Sequence, residues 1–204
     1  MDVRLDHPSH GTLLTTLTAA GDFGTATKVA SVLLLAAMTA AAAQISVPLP
    51  FTPVPFTLQP MVVLLGGAVL GSRLGLAAQV VYLAAGIAGL PVFAASPVLP
   101  QGIFRLLGPT GGYLMSYPLA AFVTGLLAER GFDRRYATSV AAMAIGLLVV
   151  FGCGVTWLAF WARPAAGLGE ALRTGVYPFI PADIFKILIA AAVMPALWRL
   201  SRAR

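Results

Sequence analysis

Six apolar stretches, bounded by charged residues or prolines, constrain this 204-residue chain more than any other feature of its sequence. They cover approximately residues 28–47, 58–71, 74–92, 111–128, 136–158 and 180–198. A helix that crosses the ~30 Å hydrocarbon layer of a membrane needs roughly 20 mostly apolar residues. Only 10% of the residues are charged, whereas a soluble domain has about a quarter. The sequence therefore predicts an all-α membrane protein with six transmembrane helices.

The stretches divide the chain into three parts. Residues 1–27 are the only long polar segment, and we predict a cytoplasmic tail or surface segment there. Residues 28–198 form one six-helix transmembrane domain, and residues 199–204 a basic cytoplasmic tail. The single cysteine, Cys153, excludes an internal disulfide, and its apolar neighbours predict that it is buried. Both histidines lie in the polar tail, so the sequence predicts no metal and no cofactor.

The distribution of Lys and Arg predicts the orientation of the chain. With six spans both termini lie on one side, and that side receives nine of the 13 basic residues. These are Arg4, Lys28, Arg73, Arg130, Arg134, Arg135, Arg199, Arg202 and Arg204. The other side receives Arg105, Arg163 and Arg173, and Lys186 lies within the last span. Because basic residues concentrate on the cytoplasmic side, we expect both termini in the cytoplasm and attribute the +6 net charge to a cell membrane rather than to nucleic acid.

The segment 48–55 contains four prolines and cannot continue a helix. Irregular backbone at membrane depth is tolerated only where it is buried in protein or lines a cavity. We therefore expect this segment, called the Pro-rich loop below, to be extended and packed against the protein. With the predicted orientation it faces outward, together with the loops 93–110 and 160–179.

Asp183 and Lys186 are ionisable residues that composition alone does not explain. They are three residues apart, which places them on one helical face. Asp183 can be explained without a functional role. The dipole at a helix N-terminus favours a carboxylate, and the opposite charges of Asp183 and Lys186 can neutralise each other. The same dipole disfavours Lys186. Because ionisable residues inside spans usually face a cavity, we expect the pair to mark a substrate or ion site.

Arg105 and three aromatic residues are further candidates. Arg105 lies in a mostly apolar outward loop and needs a partner, which is either a lipid headgroup or a group within a site. Phe93, Trp157 and Tyr177 lie near the outward ends of their stretches. Aromatic residues at such positions anchor a helix at the membrane interface or line a ligand pocket.

Small residues at every fourth position let helices approach closely in lipid. Such spacing occurs at Ala36 and Ala40, with Ala37 and Ala41 beside them, and at Gly67, Gly71 and Gly75. We expect the glycines to serve packing within the protein. The alanines fit either that role or the docking of another membrane subunit.

In chain order, five motifs resemble the BioY family, the biotin-specific S components of energy-coupling factor (ECF) transporters. They are AQISVPLP (43–50), TLQP (57–60), YLAAGIAGLPVF (82–93), GPTGGYL (108–114) and PFIPADIFK (178–186). The resemblance implies the six-helix S-component fold and an outward site capped by the Pro-rich loop. It implies biotin as ligand, and a transmembrane coupling subunit (T component) with two ATPase subunits as partners. It also implies that the alanine stripe docks the coupling subunit.

The resemblance places the site at Asp183, Lys186 and Arg105. Biotin carries a carboxylate at one end and a ureido ring at the other, and buried polar groups are costly unless they are paired. Lys186 and Arg105 are candidate partners of the carboxylate, and Asp183 is a candidate acceptor for the ureido N–H groups. Phe93, Tyr177 and Trp157 are candidate apolar walls.

Other functions remain open alternatives on the sequence alone. An enzyme is not expected, because no His-Glu-x-x-His or Gly-x-Ser-x-Gly motif occurs. A self-sufficient secondary transporter is a stronger rival, since an Asp–Lys pair could relay protons, although no inverted repeat is evident. An S component for another small vitamin would change the ligand but not the fold.

Overall fold

The computed structural model describes residues 11–14, 24–96, 100–161 and 167–202, with side chains up to residue 200. The element order is α1 (Gly24–Gln44), β1 (Ser46–Val47), β2 (Phe56–Thr57), α2 (Gln59–Leu70), α3 (Ser72–Ile87), α4 (Phe104–Leu107), α5 (Gly111–Glu129), α6 (Tyr136–Trp161), α7 (Leu168–Gly175) and α8 (Ile180–Arg202). Each predicted apolar stretch coincides with one of the longer helices α1, α2, α3, α5, α6 and α8. The predicted all-α class is confirmed in that the structure is mostly helical; it also contains the two-residue strands β1 and β2.

The boundaries differ from the predicted ones in four places. Helix α1 begins inside the segment 1–27, and α8 continues beyond residue 198. The segments 93–110 and 160–179, predicted as loops, contain the short helices α4 and α7. Of the tail only residues 11–14 precede α1 in the described part, and Thr12 and Leu13 are buried there.

Four helices are long and apolar enough to cross a membrane by length and composition: α1, α5, α6 and the Ile180–Leu200 part of α8. The other two apolar helices are shorter, with 12 residues in α2 and 16 in α3. A chain with four such helices is a multi-pass membrane protein.

Helix α5 lies at the centre of the bundle. It packs against α2, α3 and α6, while α1 packs on α2 and α3, and α8 packs on α2 and α6. The apolar segment of α5 is 61% buried, compared with 28% for that of α1. A helix with so little burial leaves most of its apolar surface to lipid or to another protein.

Glycines allow the close approach of α2, α3 and α5, as the sequence predicted. A Cβ on Gly67 would lie 2.5 Å from the carbonyl oxygen of Ala121 in α5. A Cβ on Gly75 would lie 3.0 Å from the Cα of Gly67. Gly71, between α2 and α3, has φ = +88°, a conformation that side chains disfavour.

The turn between α2 and α3 is fixed to the C-terminal end of α5. The carboxylate Oε1 of Glu129 accepts hydrogen bonds from the backbone N–H of Ser72 at 2.7 Å and from its hydroxyl at 2.9 Å. These bonds satisfy one of the free N–H groups at the start of α3. The short helix α2 therefore reaches the same level as the end of α5.

At that end of the bundle, α8 is joined to the loop between α5 and α6. The indole N–H of Trp198 donates to Oδ2 of the buried Asp133 at 2.6 Å. The guanidinium of Arg134 lies 3.6 Å from the centre of the Trp198 ring and donates to the carbonyl of Gly11 at 3.1 Å. The segment 11–14 is thereby attached to the bundle.

The predicted burial of Cys153 is wrong, because its side chain is exposed on α6. It borders a shallow surface groove of α5 and α6, although the neighbouring Gly154 and Val155 are buried. Because the outer surface of a membrane protein is itself apolar, apolar neighbours do not distinguish a buried position from a lipid-facing one.

Candidate functional site

A cavity of about 330 Å³, called the main cavity below, lies at one end of the bundle, where α2 and α5 begin and α6 ends. Its volume is typical of small-molecule sites. Most of its lining is apolar or aromatic, and a few polar groups project into it. The lining residues are Pro48, Leu49, Thr52, Pro53, Val54, Pro55, Thr57, Gln59, Phe93, Ala94, Ala95, Ser96, Arg105, Pro109, Thr110, Tyr113, Leu114, Tyr117 and Trp161.

The Pro-rich loop forms one wall of the main cavity. Strands β1 and β2 pair antiparallel, with Ser46 opposite Thr57 and Val47 opposite Phe56. The loop between them is thus the end of a hairpin, and six of its eight residues line the cavity. This agrees with the prediction that the loop packs against the protein.

Arg105 brings a cation to the main cavity. It lies in α4, is only 6% exposed, and lines the cavity directly. Its Nε has no hydrogen-bond partner among the described residues. Burial lowers the pKa of the guanidinium from its ordinary value, although arginine stays protonated in proteins. An incompletely paired buried cation is a strong candidate to bind an anionic group.

Asp183 and Lys186 lie next to a second, smaller pocket. This side pocket has a volume of about 40 Å³ and shares Val54, Thr57 and Tyr117, among other lining residues, with the main cavity. The side chains of Asp183 and Lys186 are 5% and 8% exposed. The ammonium Nζ is 2.7 Å from Oδ1 of Asp183, so the two residues form a buried ion pair. Neither points away from the bundle.

The ammonium of Lys186 is also bound to the hairpin. It donates to the backbone carbonyl of Thr57 at 2.6 Å and lies 3.7 Å from the centre of the Phe56 ring. An ammonium has three N–H donors, and here they face a carboxylate, a carbonyl and an aromatic ring. Lys186 therefore links the side pocket to the strand that follows the Pro-rich loop.

A polar network positions Phe93 in the main cavity. The amide of Gln59 donates to the hydroxyl of Tyr82 at 2.7 Å, and that hydroxyl donates to the carbonyl of Val92 at 3.3 Å. The rings of Tyr82 and Phe93 meet edge to face at 5.5 Å. A Cβ on Gly86 would collide with the Phe93 ring, so the missing side chain makes room for it. Gln59, which lines the cavity, was not predicted as a site residue.

Trp157 and Tyr177 lie outside the main cavity. The indole N–H of Trp157 donates to the carbonyl of Gly108 at 2.8 Å, and its ring borders a groove on the outer face of α5 and α6. Tyr177 is exposed. Trp161, one helical turn after Trp157, lines the cavity instead. Periodicity on an apolar helix does not show which of two tryptophans faces inward.

The alanine stripe of α1 is divided between two faces. Ala36 is buried and Ala40 is half-buried, whereas Ala37 and Ala41 are exposed. Only the latter two are accessible to another subunit.

The side-chain chemistry of the site is suited to ligand binding. Among the described residues, no three His, Cys, Asp or Glu side chains lie close enough to hold a metal ion. The site offers a buried cation, a buried ion pair and apolar walls, a combination suited to an anionic ligand with a polar ring.

Comparisons with known proteins agree with the resemblance in the motifs. The sequence model of the BioY family matches residues 13–203. A probable biotin transporter BioY of Pyrococcus horikoshii is 42% identical over 172 residues, which cover 84% of this chain and 96% of the relative. The biotin transporter BioY of Thermotoga maritima is 38% identical over 156 residues, covering 76% of this chain and 88% of the relative.

A solved structure has the same fold. It is described as the S-component for biotin from an ECF-type ABC transporter, and it aligns with a TM-score of 0.77 at 23% identity. The alignment covers 88% of this chain and 94% of that one. With a family match along nearly its whole length and relatives at about two-fifths identity, this chain belongs to the BioY family.

Proposed function

We propose that this protein captures biotin at the outer face of the cell membrane and delivers it inward as the substrate-binding subunit of an ECF transporter. One observation carries the proposal: a cavity of small-molecule size is lined by the buried Arg105 and adjoins the buried pair Asp183–Lys186. The relatives in the same family are named biotin transporters, not enzymes.

The polar groups of biotin match the ends of this site. Arg105 pairs with the carboxylate, because charge-assisted hydrogen bonds in a dry site are the strongest available to an anion. Asp183 accepts a ureido N–H through Oδ2, the oxygen that no described residue donates to. Phe93 and the Pro-rich loop cover the apolar part of the ligand. Lys186 acts mainly by orienting Asp183 and the hairpin, since its donors already have partners.

Six helices span the membrane in this proposal, including the short α2 and α3. Twelve residues of α2 measure only about 18 Å. The α2–α3 turn nevertheless reaches the end of α5 through Glu129, so the missing length lies at the cavity end, where the hairpin supplies protein in place of helix. Backbone of this kind is acceptable at membrane depth only when it is covered by protein.

Both termini lie in the cytoplasm. The end of the bundle opposite the main cavity carries the exposed Arg73, Arg130, Arg135 and Arg199. By the positive-inside rule this end is cytoplasmic. The main cavity then opens to the exterior.

The energising partners in this proposal are a coupling subunit with two ATPases, because the sequence contains no phosphate-binding loop with which this chain could hydrolyse ATP itself. The coupling subunit docks on the exposed side of the alanine stripe, at Ala37 and Ala41. Small side chains there let a partner helix approach closely in lipid.

Binding of radiolabelled biotin to the purified full chain tests the proposal. Dethiobiotin, which keeps the carboxylate and ureido ring, should compete, whereas thiamine, a cation, should not. Absence of biotin binding, or equal competition by thiamine, would refute biotin capture.

A further inference from the structure

Tyr117 lies where the main cavity meets the side pocket. It is in the middle of α5, 4% exposed, and lines both spaces. Its ring packs 6.5 Å from the ring of Tyr82. Neither the motifs nor the charges in the sequence indicate a role for it.

The hydroxyl of Tyr117 differs from those of the other two buried tyrosines. The hydroxyl of Tyr82 bonds to Gln59 and Val92, and that of Tyr113 donates to the carbonyl of Gly175 at 2.8 Å. Among the described residues, the hydroxyl of Tyr117 has no hydrogen-bond partner. This oxygen is not among the fully buried unpaired atoms, so it is open to the pocket and is suited to bond with whatever occupies it.

The other side-chain donors around the side pocket are already engaged. Thr57 donates to Gln59 Oε1 at 3.5 Å, Tyr113 to a backbone carbonyl, and Lys186 to Asp183 and the Thr57 carbonyl. Of the side-chain donors that line this pocket, the Tyr117 hydroxyl is the one left unbonded. On the acceptor side, Oδ1 of Asp183 accepts from Lys186, and Oδ2 accepts from no described residue.

We infer that Tyr117 determines specificity by donating its hydroxyl hydrogen to the ureido carbonyl of the ligand, while Asp183 accepts from an adjacent ureido N–H. This inference rests on the proposed function, because it needs the ureido ring of biotin to occupy the side-pocket end. A donor and an acceptor in one small pocket match the C=O and N–H of a cyclic urea. A ligand with a carboxylate but no such ring leaves both groups unpaired and is rejected.

A double comparison of residue and ligand tests this role. Biotin and an analogue with sulfur in place of the ureido oxygen, a weak hydrogen-bond acceptor, are titrated against the full chain and against Tyr117→Phe. The substitution removes one oxygen and keeps the ring in place. Tyr136→Phe is the matched control, because its hydroxyl lies on an exposed residue and bonds only to the carbonyl of Leu188 at 3.4 Å.

We expect Tyr117→Phe to weaken biotin binding about tenfold, because it removes one hydrogen bond. Binding of the sulfur analogue should weaken less than about twofold, because that analogue makes the bond only weakly. Tyr136→Phe should change neither. Unchanged biotin affinity in Tyr117→Phe, or equal weakening for both ligands, would overturn the inference while leaving biotin capture intact. Failure of the unmodified chain to bind biotin would overturn both. Melting temperatures of the three proteins separate a loss of the bond from a loss of folding.

Discussion

At the scale of single residues, the two cations of the site have different roles. Arg105 lines the main cavity and its Nε bonds to no described residue, whereas the ammonium of Lys186 donates to two oxygens and lies against the Phe56 ring. The two cations looked equivalent in the sequence as carboxylate partners. Their surroundings make Arg105 the group that is available to a ligand, and Lys186 the group that organises the site.

Replacing Arg105 by Ala should therefore weaken biotin binding about 100-fold, since a charge-assisted hydrogen bond contributes about 1.5–3 kcal/mol. Binding of biotin amide, which lacks the carboxylate charge, should change by less than about threefold. Titration of both ligands measures the difference. Arg173→Ala, at an exposed position on α7, is the control; equal losses for biotin and its amide would contradict the assignment.

The buried pair allows a second prediction. Lys186→Met leaves the carboxylate of Asp183 buried without its partner, which should lower the free energy of unfolding by about 3–5 kcal/mol. The double variant Asp183→Asn/Lys186→Met removes both charges and should recover most of the stability without recovering biotin binding. Thermal unfolding in detergent compares the three proteins. A double variant no more stable than Lys186→Met would show that the ion pair is not the cause.

At the scale of helices, close packing depends on a few positions without side chains. Gly67 faces the backbone of α5 at Ala121, where a Cβ finds no space. Gly152 lies on the outer side of α6, where a Cβ would meet nothing within 4 Å. Both are interior helical glycines, so they differ only in their neighbours.

Gly67→Ala should consequently lower the melting temperature by about 5 °C, because overpacking costs about 1–3 kcal/mol. Gly152→Ala should leave the melting temperature unchanged or raise it, since alanine favours helix over glycine by about 1 kcal/mol. Melting curves in the same detergent test the pair. A similar effect of both substitutions would mean that helix propensity, and not the contact with α5, dominates.

Helix α1 has the most exposed face of the four long helices, and Ala37 lies on it. Ala37→Trp should prevent copurification with a coupling subunit and leave biotin binding unchanged. Leu148→Trp, at an exposed position on α6, should retain the complex. Retention of the complex in both variants would place the docking surface elsewhere.

At the scale of the whole molecule, the orientation in the membrane can be measured with single cysteines. In a Cys153→Ser background, Gly169→Cys on α7 lies at the cavity end and Arg130→Cys at the opposite end, both at exposed positions. An impermeant thiol reagent added to intact cells should label Gly169→Cys and should label Arg130→Cys only after lysis. The reverse pattern would contradict cytoplasmic termini.

The sequence predicted the helices well, because charges, glycines and prolines separate the apolar runs, although Pro118 and Pro195 lie inside helices α5 and α8. It also placed Asp183 and Lys186 together, since three residues on a helix are neighbours by geometry alone. It did not predict the contacts that define the site. Lys186 binds Thr57 across 129 residues of sequence, and Gln59, Tyr117 and Trp161 enter the cavity because of tertiary packing. The hydrophobic period does not reveal the inward face of a helix that is apolar on all sides.

The bond between Lys186 and the carbonyl of Thr57 joins the last helix to the hairpin through a single ammonium that also neutralises Asp183. If a ligand in the side pocket contacts Asp183, its binding and the position of the hairpin become linked equilibria, and linkage is reciprocal. If ligand contacts with Asp183 strengthen the hydrogen bond from the Lys186 ammonium to Thr57, the Pro-rich loop closes more tightly over an occupied site. By the same free energy, a partner that pulls the hairpin away from α8 would lower the affinity for ligand and promote its release.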